Sequence, residues 1–170
     1  ASKRFITPAG IEPRYSQDPP NGKRVVVFSE QGIGDSIMMA SMVPDLQASA
    51  RELTVLVQPR LEQLFRASFP DCTITTSIDE DRYHKADSCY GLGSLGQFFR
   101  TKLTDFPGTP FLSVGQQEAD LWQQRLQSLP AGARIGVAWS GGGHVETAER
   151  RSIPLLELLP ILQLPGITWV

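Results

Sequence analysis

The chain has little of what builds metal centres or disulfide frameworks. It holds 2 cysteines and 2 histidines in 170 residues. Cys72 and Cys89 show neither metal-ligand spacing nor a CxxC redox pattern. They read as reduced thiols of a cytoplasmic protein, with a disulfide between them as the alternative. His84 and His144 each stand alone, and no His/Asp/Glu cluster argues for a metal. An excess of either charge is also missing: 16 Lys and Arg face 18 Asp and Glu, for a net charge of -2. Bulk electrostatics therefore give no reason to expect a nucleic-acid partner. No apolar run approaches the roughly 20 residues that span a bilayer. The N-terminal stretch lacks a signal-peptide pattern. What is present, 41% hydrophobic and 20% charged residues, suits a globular protein of one domain, or of one domain and part of another.

Residues 1–23 carry Pro8, Pro13, Pro19, Pro20, Gly10 and Gly22 without periodicity, and read as an extended arm or linker. Arg24–Ser29 is a continuous apolar strand of the kind found in the middle of a parallel sheet. A helix is expected over about 36–50, kinked by Pro44. Further strands are expected at 53–57, 73–76 and 86–90, with a helix opened by Pro59. The acidic run Asp79–Asp81 reads as a solvated loop. Gly91, Gly93 and Gly96 break regular structure. An amphipathic helix is expected over 118–129, a strand over 135–139, a helix over 155–162 and a strand from 167. Trp139 and Trp169 read as core residues.

The strongest pattern is a pair of similar openings. RVVVFSEQGIGDSI begins at Arg24, and RIGVAWSGGGHVET begins at Arg134. Each is an apolar strand running into a glycine-rich turn, so the chain holds two Rossmann-like beginnings. The first turn is neither a dinucleotide fingerprint nor a Walker loop. Ile37 stands where the third glycine is needed, the second strand ends Val57-Gln58 without an acid, and Asp35 follows the glycines in place of Lys. A carboxylate there fills the positive end of a helix dipole and repels phosphate. Asp35 thus reads either as a helix N-cap or as an acid presented at the carboxyl end of a parallel strand, where active sites collect. In the second turn, Ser140–Gly143, with Ser140, Gly141 and Gly142 foremost, offers unobstructed backbone N–H groups. Arg150 and Arg151 offer bidentate donors for a diphosphate, diluted by Glu146 and Glu149. The alternative is a solvated surface loop.

Three segments in order carry a resemblance: VVVFSEQGIGDSIMMASMVPDL, GLGSLGQFFRT and RIGVAWSGGGHVETAERRSIPLLELLPIL. Together they are similar to the heptosyltransferase-like glycosyltransferases of bacteria, including forms fused behind tetratricopeptide repeats. Two positions depart from the family pattern. Gly142 and Gly143 stand where Asn-Pro is usual, and Gly96 stands where a proline is common.

The resemblance implies a GT-B architecture of two Rossmann-like domains. Residues 24–130 would form the N-terminal, acceptor-side domain, and residues 134–170 an incomplete start of the donor-side domain. It implies an inverting, metal-independent transferase without a cofactor, which uses a nucleotide-diphosphate sugar as donor substrate. Asp35 would be the general base. Ser140, Gly141 and Arg151 would stabilise the leaving diphosphate, with Gly142 and Arg150 beside them. The acceptor would be a glycan, a lipid-linked sugar or a protein. The expected location is cytoplasmic, and an upstream repeat module and a homodimer formed by strand pairing are expected partners. The 170-residue chain alone is expected to be inactive. The altered Gly142–Gly143 loop keeps open a different class: a degenerate, non-catalytic domain that binds a sugar or a protein.

Overall fold

The computed structural model of the chain describes residues 16–140 and 152–170. These fall into two compact units, one ending at Gln116 and one spanning Gln117–Val170.

The first unit is an α/β, Rossmann-like parallel sheet with flanking helices. Its elements are β1 (Arg24–Phe28), α1 (Ile33–Met39), α2 (Val43–Ser49), β2 (Glu52–Leu56), α3 (Glu62–Ser68), β3 (Thr73–Thr75), α4 (Glu80–Lys85), β4 (Ser88–Gly91) and α5 (Gly96–Phe99). The strand order is β3-β2-β1-β4, and every pair is parallel. In register, Val27 lies beside Val55 on one side and Tyr90 on the other.

Alternation along β1 supplies both faces. Val25 and Val27 join the larger core, with Leu46, Val55, Phe65 and Tyr90. Val26 and Phe28 join a smaller one on the other face, with Leu56, Ile78 and Tyr83. A strand buried on both faces must be apolar throughout, which is why RVVVF shows no polar alternation.

Two expectations change here. The 36–50 helix is two helices, α1 and α2, joined by a 3-10 turn at Ala40–Met42. Pro44 sits in the first turn of α2, where its missing N–H costs nothing, rather than kinking a continuous helix. The acidic run is not a loop. Asp79 caps α4, its Oδ1 accepting from the Arg82 N–H at 2.6 Å. Tyr83 of α4 is buried against Phe28, with ring centroids 6.2 Å apart. The cap and the aromatic anchor both help to hold this short helix on the sheet.

The second unit contains α6 (Gln116–Gln127), β5 (Ala133–Ile135), α7 (Leu155–Leu162) and β6 (Ile167–Trp169). β5 and β6 are parallel neighbours, with Ile135 opposite Trp169. Gly132 enters β5 at φ 141°, and a Cβ there would lie 3.1 Å from the Gly166 carbonyl oxygen, so both conformation and space require glycine. On α6, Leu121 and Trp122 are exposed. Trp139, expected inside, is 40% exposed, whereas Trp169 is half-buried. Among the described residues, no helix is long and apolar enough to cross a membrane.

Candidate functional site

Strand order reverses between β1 and β4, since the chain moves outward through β2 and β3 and then returns to the far side of β1. The crevice beyond the carboxyl ends of such strands is where open α/β sheets place ligands. Two connections meet there: Ser29–Gly32, which leads from β1 into α1, and the 3-10 turn Leu92–Leu95 after β4.

The first turn is tied on several sides. The Ser29 N–H donates to the Leu56 carbonyl at 2.9 Å, and Gln58 Nε2 donates to the Gln31 carbonyl at 2.9 Å. The Ser36 hydroxyl donates to the Gly32 carbonyl at 2.8 Å. Its single proton is thereby committed, so in the buried Ser29–Ser36 hydroxyl contact it is Ser29 Oγ that donates. On the β4 side, the Glu30 carboxylate accepts from the Leu92 N–H at 2.8 Å and the Gly93 N–H at 3.3 Å.

Asp35 is carried on this framework. It is the third residue of α1, whose N-cap is Gly32, so the expectation that Asp35 caps the helix is corrected. Glycine at the cap has no side chain to offer, and the carboxylate lies one turn further in. Its Oδ2 would stand 3.3 Å from a Cβ on Gly32. Asp35 is exposed, and among the described residues its carboxylate has no hydrogen-bond or ion-pair partner. Such a group can accept a proton from a hydroxyl brought to it.

A second tie lies behind the crevice. The Arg100 side chain, only 6% exposed, pairs with Asp45 at 2.8 Å. It also donates to the Ser41 and Phe99 carbonyls at 2.9 and 2.7 Å. It fastens the end of α5 to the junction of α1 and α2. Hence Gly91–Phe99, read in the sequence as broken structure, is a 3-10 turn over Leu92–Leu95 followed by α5, clamped to the α1 side by Glu30 and Arg100.

Of the second glycine turn, Ser140 is described and exposed. The Ile153 N–H donates to the Trp139 carbonyl at 2.8 Å, and Ser152 Oγ lies 3.4 Å from Ser140 Oγ. Gly141, Gly142, Gly143, His144, Arg150 and Arg151 lie outside the described residues.

Other chemistry-bearing groups are placed elsewhere. A groove of about 1080 Å³ runs along the amino ends of the strands, past Arg24, Glu52, Thr73 and Arg82, at the opposite end of the sheet from Asp35. Near it Asp87 pairs with Arg24 at 3.2 Å and Arg51 at 3.4 Å. The hydrogen bond from the Arg24 guanidinium holds the Asp87 carboxyl below the usual carboxylate range. Cys72 is half-buried and Cys89 buried, and no disulfide joins them. Burial, with Asp71 beside it, pushes the Cys72 thiol up to about 11, which makes it a poor nucleophile at neutral pH. Among the described residues, no group of three His, Cys, Asp or Glu is placed to hold a metal.

Glu30 and Gln58 were missed in the sequence. In sequence Gln58 stands out only as the absence of an acid after β2. Glu30 precedes the glycines, and nothing local announces that its partners lie 62 and 63 residues away.

Comparison with known proteins adds one relative. The chain is 28% identical over 174 residues to Protein FlbA of Caulobacter vibrioides. That match covers 92% of this chain and 29% of FlbA, so the chain spans less than a third of the relative's length. No family model matches the chain, and no solved structure does.

Proposed function

We propose that the chain belongs to an inverting, metal-independent glycosyltransferase of the heptosyltransferase-like kind, with Asp35 as general base. In the proposed step, Asp35 takes the proton of an acceptor hydroxyl. The hydroxyl oxygen bonds to the anomeric carbon as the bond from that carbon to the nucleoside diphosphate breaks. The diphosphate leaves with the electron pair, and configuration inverts. On this reading the first unit takes a glycan, lipid-linked or protein acceptor. Ser140, Gly141, Gly142, Arg150 and Arg151 of the second unit hold the nucleotide-diphosphate sugar. A nucleotide-sugar donor implies work in the cytoplasm. Dimerisation by pairing of exposed strand edges belongs to the same proposal.

The observation that supports this reading is the state of Asp35: a solvent-facing carboxylate on a turn fixed to β2 and β4, at the strand-order switch. The test uses the whole protein and a panel of nucleotide sugars, with release of nucleoside diphosphate and mass gain of acceptor as readouts. Asp35→Asn is expected to lower turnover by roughly 10²–10⁴-fold while donor binding persists. Turnover retained in that variant removes Asp35 as the base. The second reading, a degenerate binding domain, is favoured by Gly142 and Gly143 in place of Asn-Pro. It predicts donor binding with no transfer to any acceptor.

A further inference from the structure

We infer that Glu30 is a positioning residue, which fixes the turn carrying Asp35 against the glycine turn after β4; the role in catalysis rests on the reading of Asp35 as the base. Both Glu30 carboxylate oxygens are used. Oε2 accepts from the Leu92 N–H at 2.8 Å, and Oε1 from the Gly93 N–H at 3.3 Å. Charge-assisted bonds of this kind are stronger than neutral ones, and two of them fix direction as well as distance. Backbone amides cannot change rotamer, so the carboxylate locks main chain to side chain across the strand-order switch. Asp35 lies five positions further along, in the first turn of α1.

The glycine at 91 exists to make room for this contact. Its φ of -72° and ψ of 141° suit any residue, so conformational freedom is not the reason. A Cβ at Gly91 would stand 2.5 Å from Glu30 Oε1 and 2.8 Å from its Cδ. Alanine there would evict the carboxylate rather than distort the strand. Gly93 is crowded in the same way, by Met39 Sδ at 2.8 Å and Glu30 Oε1 at 3.3 Å. By contrast, a Cβ on Gly96 would meet nothing within 4 Å. The glycines of GLGSLG therefore divide by function. Gly91 makes room for the clamp, Gly93 makes room chiefly for Met39, and Gly96 plays no part in it. With the clamp in place, the Leu92 and Gly93 amides are not open to an anionic group of an acceptor.

The test compares amide hydrogen exchange in the wild-type chain, Glu30→Gln and Gly91→Ala. Glutamine puts an NH₂ group where one carboxylate oxygen stood, so in the same geometry one of the two backbone N–H groups faces a donor instead of an acceptor. Gly91→Ala keeps the glutamate but removes its place. Both variants are expected to speed exchange at Leu92, Gly93 and the 30–36 turn by roughly 10-fold or more, while Val27 and Val55 keep wild-type rates. Variants that match wild type overturn the clamp. Wild-type Leu92 and Gly93 amides that exchange like an open loop overturn it too, and that result decides the matter if a variant fails to fold.

In the whole protein, Glu30→Gln is expected to lower kcat roughly 10-fold or more at unchanged donor KM, the signature of a displaced group. An unchanged kcat overturns the positioning role. Asp35→Asn separates the two ideas. Its turnover judges the base. The exchange rates in Glu30→Gln and Gly91→Ala judge the clamp, whichever way that turnover falls.

Discussion

β1 and β5 each contain the arginine that opens an apolar and then glycine-rich stretch of sequence, and they end in opposite environments. Val25–Phe28 of β1 are buried, whereas Ala133–Ile135 of β5 are exposed. The difference is in neighbours. β1 lies between β2 and β4, and its two faces are covered by separate apolar clusters. β5 has β6 on one side, in a two-stranded sheet. Two strands enclose no interior, since burial on both faces needs partners on either edge and layers above and below. The helices follow suit. α3 buries Phe65 completely, whereas α7, the more apolar in sequence, leaves Leu155, Leu156 and Leu159 exposed. An apolar run announces a strand or helix, but the number of partners decides whether it becomes core.

Substitutions can break or sharpen this contrast. The largest effect is expected for Phe65→Ala, which empties a fully buried site and should cost about 3–5 kcal/mol in chemical denaturation. A loss below about 1 kcal/mol would mean that the first unit is not the stable one. A smaller effect is expected at the rim of the same sheet. The folded-state pKa of Asp87 is depressed, first by its hydrogen bond to Arg24. Its contribution is therefore present above the usual carboxylate range and lost as pH falls through the depressed value. Asp87→Asn should lower the urea midpoint at neutral pH and match wild type in strong acid. A difference that persists in acid would assign the effect to packing instead. The smallest change is expected for Leu156→Ala in α7, where the side chain is 76% exposed: within about 0.5 kcal/mol. A cost near that of Phe65→Ala would erase the distinction between the units.

The candidate site was partly legible. The RVVVF run, the glycine turn and the acid after it are local, and they placed Asp35 at the carboxyl end of a parallel strand. Of the two local readings of Asp35, the cap falls, because the helix begins at Ile33 rather than Ser36. The same local reasoning takes Asp79–Asp81 for a loop. The run instead opens α4, capped by Asp79 and carrying Tyr83, which packs on Phe28, a contact between residues 55 positions apart with no trace in either one's local pattern.

By itself the sequence determined the class of fold, the position of the first strand and the place of an acid beyond it. These follow from apolar runs and glycine chemistry, which act over a few residues. Only the tertiary structure decided that β1 is flanked on both sides, that Arg100 is buried behind the crevice and that Glu30 reaches the amides after β4. Those outcomes depend on which surfaces meet when distant segments pack. No window of sequence contains that information, because backbone donors such as Leu92 and Gly93 N–H look the same at every position until the fold brings an acceptor to them.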